Sequence, residues 1–270
     1  MRKITMTYRT ITLLLGLGLS GGLNAVPLFD QDVTPDVIFG SGNANGAFTV
    51  DQNNGIELGL RAKLRHNASG APENTFNSDG AGTYTFDAGV APTQSFPTAV
   101  WSFEWSINSN YDGTSGYNLD DLTYELSIVD NAGTAGSVTF DPINDINPGT
   151  SAVQWDHAIG DNSTNNGAGV SISNSVSAPW LYAARIGTSN VAQNSWKTQW
   201  FLSGFDPNAT GTYDFSLTAF DSSGIAIQQL AQTQITVAAV PEPSTLAALS
   251  FGVVGTLLWL RRRRAAAKAA

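Results

Sequence analysis

Few side chains in this chain of 270 residues are of a type and spacing suited to catalysis. Cysteine is absent, and the two histidines, His66 and His157, have no His-x-x-x-His partner. No Gly-x-Ser-x-Gly elbow is present, and no glycine loop leads into a helix to cradle phosphate. Zinc-thiolate chemistry and cysteine nucleophiles are therefore excluded, and disulfides with them. Carboxylates are abundant, so a glycan-active enzyme with paired acids is the one catalytic class that the composition leaves open. The expectation is a protein that is not an enzyme.

Two acidic loops offer oxygen ligands for Ca²⁺. Asp112, Asn118, Asp120 and Asp121 share one glycine-rich stretch, and Asp141, Asn144, Asp145 and Asn147 share another. Neither has the twelve-residue EF-hand spacing, and Asp and Asn also populate ordinary turns through bonds to their own backbone. Seven tryptophans invite a second reading, because flat rings stack on sugar faces. Trp101 and Trp105 fall on the apolar side of an alternating segment and belong to a core. Trp155, Trp180 and Trp196 are the candidates for glycan stacking, with Trp200 on the same predicted strand face as Trp196 and Lys197 opposite.

The elements that would position these groups are strands. Ile56, Leu58, Leu60, Ala62 and Leu64 alternate with Glu57, Arg61, Lys63 and Arg65, which predicts a long half-buried strand over 55–65. Trp101 to Ile107, Leu122 to Ile128, Tyr213 to Ala219 and Ile225 to Val237 repeat the pattern, and Asp221-Ser222-Ser223-Gly224 reads as a hairpin turn between the last two. Weaker strands are expected at 37–39, 47–50, 83–86, 137–140, 153–155, 181–186 and 196–202, and no stretch of the body reads as a helix. The expected fold is all-β, an antiparallel two-sheet sandwich or jelly roll over residues 26–239, in one domain.

The ends are built differently. Residues 1–25 combine Arg2, Lys3 and Arg9 with an apolar run from Ile11 to Leu19 and small residues ending at Ala25, as a secretory signal does. Cleavage is expected after Ala25, by signal peptidase acting with the secretion machinery. At the other end, Leu246 to Leu260 carry no charge and are followed at once by Arg261, Arg262, Arg263 and Arg264. With Ser244 and Thr245, a helix over about 244–260 approaches the length of a membrane span. The arginines mark its cytoplasmic end and place the body outside. Between body and helix, Val240-Pro241-Glu242-Pro243-Ser244-Thr245 reads as an exposed, extended stalk, since proline withholds its N–H and disfavours helix before it.

This order of Pro-Glu-Pro, short apolar helix and terminal arginine cluster resembles the PEP-CTERM sorting signal of Gram-negative bacteria. The resemblance covers residues 240–270. It implies recognition by a membrane-embedded exosortase, cutting near Pro241-Glu242-Pro243, a transient inner-membrane anchor, and delivery to the cell envelope surface or extracellular matrix. A structural or adhesive role among exopolysaccharide, as in a biofilm, is implied as well, with a polysaccharide- or Ca²⁺-binding module as the alternative. Short segments of the body (Asn54 to Arg61, Trp101 to Trp105, Ile159 to Thr164 and Phe205 to Ala209) resemble a recurrent ectodomain that accompanies this signal, which brings no activity with it.

Charge sharpens the partner question. The whole chain carries −9, but residues 26–240 hold 5 bases against 21 acids, a net of −16. Nucleic acid is excluded as a partner, because its binding needs clustered Lys and Arg. The same average predicts that anionic polysaccharide is met through cation bridges or uncharged stacking rather than direct charge pairing.

Overall fold

The computed structural model describes residues 26–146, 157–172, 178–221 and 228–241. Among these residues the chain forms twelve strands. In order they are β1 (Leu28–Gln31), β2 (Phe48–Asn53), β3 (Ile56–Leu64), β4 (Thr83–Asp87), β5 (Trp101–Asn108) and β6 (Thr123–Asp130), then β7 (Ser137–Phe140), β8 (Ala158–Gly160), β9 (Val170–Ser171), β10 (Val191–Trp196), β11 (Gly211–Asp221) and β12 (Gln228–Val240). Asn54 and Gly55, both at positive φ (54° and 76°), make the two-residue turn between β2 and β3. An Asn-Gly pair suits that geometry, because both central residues of such a hairpin turn need the left-handed region.

Two sheets result. One has seven strands in the order β1-β2-β3-β5-β10-β8-β9, and the other five in the order β4-β12-β11-β6-β7. The alternation of β3 and β5 sends Leu58, Leu60, Ala62, Trp101, Phe103, Trp105 and Ile107 to one face, where they join a single core with Leu126, Ile128, Phe215, Leu217 and Ile235 of the second sheet. The rings interlock across the gap: Trp101 lies 5.4 Å from Tyr213 and 6.2 Å from Phe215, and Phe103 lies 4.7 Å from Phe215. The sandwich expected from the sequence is thus present, with one difference. The five-stranded sheet is mixed, since β12 pairs antiparallel with β11 but parallel with β4. A period of two reports which face a residue takes and carries no information on the direction of its neighbour.

Three expected strands take other forms. Residues 181–186 lie in a helix, α1 (Pro179–Ile186), which starts with Pro179 in its first turn and buries Tyr182 and Ile186, four apart on one face. Residues 197–202 leave the sheet after Trp196 in a short 3-10 turn at Thr198–Trp200. Residues 37–39 are irregular, yet Val37 and Ile38 have no exposed surface. They belong to a strap over 32–46 that crosses the outer face of the seven-stranded sheet. The predicted strand at 153–155, the hairpin turn at 222–224, and the signal and membrane helices lie outside the described residues. Among the described residues no helix is long and apolar enough to cross a membrane.

The strap changes what β3 is. All but the last of its nine residues are buried, including Glu57, Arg61 and Lys63, which alternation alone assigns to solvent. Gly59 marks the contact: a Cβ there would stand 2.7 Å from Val33 Cγ1 of the strap and 3.3 Å from the Phe48 ring. Glycine is required at this position by close approach rather than by backbone angle.

Candidate functional site

Beneath the strap lies a buried polar layer that the sequence alone did not reveal. Arg61 and Glu104 stand directly opposite each other on β3 and β5, and the Arg61 Nε donates to Glu104 Oε2 at 2.6 Å with both side chains fully buried. The guanidinium also donates to the carbonyls of Ala44 and Gly46 and lies 4.0 Å from the Phe48 ring centre and 4.2 Å from that of Phe76. Lys63 Nζ is 3.7 Å from Glu104 Oε1 and donates to Asn43 Oδ1. Burial pushes both bases down from their ordinary values, and Glu104 pushes each back up. Further along, Glu57 accepts from Thr34 N and Gln52 Nε2, each at 2.6 Å. Gln193 bridges Ile38 N and the Asp36 carbonyl. These groups fasten the strap to the sheet and are sealed from any substrate.

The acidic loops are occupied by their own backbone. Asp112 Oδ1 accepts from the N–H and hydroxyl of Thr114, at 2.9 and 2.6 Å. Asn118 and Asp121 form a capping box on the 3-10 turn Leu119–Asp121, which also contains Asp120. Asp141 accepts from the N–H groups of Ile143, Asn144 and Tyr124 and from the Asn144 amide. Asp145 caps the Asp141 N–H at 2.7 Å. Among the described residues no three His, Asp or Glu side chains gather as metal ligands. Asn147 lies outside the described residues.

The tryptophan candidates separate. Trp196 is 1% exposed and packs 4.9 Å from Trp105 and 5.0 Å from Phe201, so it belongs to the core and is unavailable as a stacking platform. It ends β10 on the inward face. Trp180 is 66% exposed at the start of α1, and Trp155 lies outside the described residues. Trp200, 46% exposed, stands at the end of the 3-10 turn rather than on the Trp196 strand face. Lys197 Nζ lies 5.9 Å from its ring centre. Trp200 borders a groove of about 300 Å³ that Asn43, Arg65, Asn194 and Ser195 also line.

His66 Nδ1 lies 3.2 Å from the Gly70 carbonyl, and burial lowers its pKa, with Lys197 and Arg65 adding to that effect. His157 is 1% exposed, with Nε2 2.8 Å from Tyr182 Oη, which itself donates to the Ile143 carbonyl at 2.7 Å.

The last site is where the chain leaves the body. β12 stays paired to its end: Ala239 lies opposite Gly211 of β11, and Val240 opposite Asp87 of β4. The Ala88 N–H closes the ladder on the Val240 carbonyl at 2.7 Å. Pro241 is the first residue outside the strand and is exposed. A residue with no N–H to give is a natural stop for a paired strand. The sequence suggested an exposed, extended chain from Val240 onward, but Val240 is paired in the sheet and Pro241 is the first exposed residue.

The PEP-CTERM protein-sorting motif matches residues 239–264. The chain carries a PEP-CTERM sorting signal. Comparison with curated proteins and with solved structures gave no match. A PEP-CTERM signal implies an exported protein processed by an exosortase. Its first two residues, Ala239 and Val240, belong to the sandwich, and Pro241 is its first free position. The remaining motif residues, including Glu242, Pro243 and Arg261 to Arg264, lie outside the described residues, as does Ala25.

Proposed function

We propose that the β-sandwich is the cargo of this signal: an exported, non-catalytic body with a structural or adhesive role in the cell envelope or an exopolysaccharide matrix. On this reading residues 1–25 direct secretion and are removed after Ala25. The helix over about 244–260 holds the precursor in the inner membrane, and the exosortase cuts near Pro241-Glu242-Pro243. The observation that carries it is the continuity of β12 with the motif. With Val240 hydrogen-bonded into the sheet and Pro241 exposed, the tail can be removed without opening the core. The acids bound within their own turns and the buried histidines support a role in holding rather than reacting.

The test is truncation after Pro241, which removes the tail and keeps the Ala88–Val240 hydrogen bond. The expected result is a body that still crosses the inner membrane and still melts cooperatively, but is no longer found where the full chain is deposited. Unchanged deposition of the truncated chain would overturn the sorting role.

A further inference from the structure

Lys63 is a buried amine in contact with a side-chain amide and a carboxylate. It follows Arg61 by two residues on β3, and only 2% of it is exposed. Its Nζ donates to Oδ1 of Asn43 in the strap and lies 3.7 Å from Oε1 of Glu104. That oxygen is buried and has no hydrogen-bond partner among the described residues, while Arg61 Nε takes the other, Oε2, at 2.6 Å. Burial pushes the Lys63 ammonium down, Glu104 pushes it up, and Arg61 and Arg65 push it down again. The Asn43 amide is held in one orientation, because its Nδ2 donates to the carbonyls of Phe39 and Gly40 at 2.9 and 3.4 Å and turns Oδ1 toward the amine. A second amide oxygen, Asn74 Oδ1, stands further off at 3.4 Å and already accepts from the Ala44 N–H.

We infer that Lys63 and Asn43 join in an isopeptide crosslink, made by the folded chain itself, that ties the strap covalently to β3. Glu104 Oε1 takes a proton from the Lys63 ammonium, and the neutral amine attacks the side-chain carbonyl carbon of Asn43. An Nζ–Cγ amide bond forms and the Cγ–Nδ2 bond breaks, with Nδ2 taking one proton from the attacking nitrogen and leaving as ammonia. The proton held by Glu104 then passes to the ammonia, which departs as ammonium. One ammonium is consumed and one released, so no oxidant, reductant or second substrate is needed, and burial beneath the strap is no obstacle. Proximity favours the step: the Asn43 carbonyl carbon is one C=O bond, about 1.2 Å, beyond the oxygen that Nζ touches, near the approach of about 3–3.5 Å that such an attack requires. Asn43 is itself partly exposed, which leaves the small product a way out. In a chain without cysteine the bond does what a disulfide does in other exported proteins, closing the segment from Asn43 to Lys63 into a loop that unfolding cannot open. The inference goes beyond the sorting and matrix reading and does not rest on it.

The test is mass spectrometry of the full-length chain purified in detergent, first intact and then after proteolysis with sequencing of the fragments. Wild-type protein should be lighter by one molecule of ammonia than the sequence from its measured first residue requires. Its digest should contain a branched peptide that joins the segment carrying Asn43 to the segment carrying Lys63. Asn43→Ala and Lys63→Arg should each restore the full mass and remove the branched peptide, and Asn43→Ala should lower the melting temperature by about 5–10 °C through loss of the closed loop. Glu104→Gln, which keeps an oxygen for Arg61, should give folded protein of full mass, and a crosslink in that variant would overturn the role of Glu104. A wild-type chain of full mass without the branched peptide, a branch through Asn74 in place of Asn43, loss of ammonia that persists in Lys63→Arg, or an Asn43→Ala variant that melts with the wild type would each overturn the proposal.

Discussion

The two faces of the seven-stranded sheet are both buried, but different forces hold them. The inner face meets the second sheet through Leu58, Leu60, Phe103 and Trp105, whose stabilisation scales with apolar area and does not depend on any single partner. The outer face meets the strap through Glu57, Arg61, Glu104 and Gln193, where each group depends on a named partner. A buried ion pair adds little net stability over a well-packed apolar pair, yet removing one half leaves an uncompensated charge. The outer face should therefore tolerate matched exchange and resist single deletion, while the inner face should respond to volume.

Glu104→Ala tests the contrast most severely. It strands Arg61 and Lys63 and should cost about 3–5 kcal/mol in chemical denaturation, whereas exchanging all three charges together, Arg61→Met, Lys63→Met and Glu104→Leu, should cost far less than the single change. A triple variant as unstable as the single one would contradict the difference between the faces. On the inner face, Leu60→Ala should cost about 3 kcal/mol from lost transfer energy and the cavity left behind. Gly59→Ala, which drives a methyl into Val33, should cost about 1–3 kcal/mol by overpacking. A neutral result would show that the strap lifts away freely.

The smallest effect is a pH dependence confined to the outer face. Burial holds the Glu57 carboxyl above its ordinary 4.5, against the hydrogen bonds from Thr34 and Gln52 that pull it down. Between 4.5 and that higher folded value the native state keeps a proton that the unfolded chain has released, so Glu57 makes stability fall as pH rises through this window. Glu57→Gln should flatten that part of the stability profile. An unchanged slope would assign it to other carboxyls.

The same contrast explains what could be read from the sequence. The inner face of β3 and β5 was legible because alternation directly reports burial on one side. The outer face was not, since Glu57, Arg61 and Lys63 look like solvent-facing residues until a strap with no periodicity of its own covers them. The pairing of Arg61 with Glu104 depends on strand register, which spans 43 residues of sequence. A continuous strand over 196–202 would put Trp196 and Trp200 on one face, but the 3-10 turn at Thr198–Trp200 leaves Trp196 buried and Trp200 exposed. For α1, the signals were Pro179 in the first turn and the i, i+4 pair of Tyr182 and Ile186, masked by a short apolar run that also fits a strand. The sorting signal was legible because it is a linear motif with its own chemistry. The surface around Trp200 was not, because it joins Asn43, Arg65 and Asn194 from distant parts of the chain.

Processing at the end of β12 is tested most directly by the intact mass of the mature protein recovered from its own host. The predicted species begins after Ala25 and ends within Pro241-Glu242-Pro243, without Arg261 to Arg264. A mature mass that still includes the arginine tail would contradict removal of the signal at the edge of the sandwich.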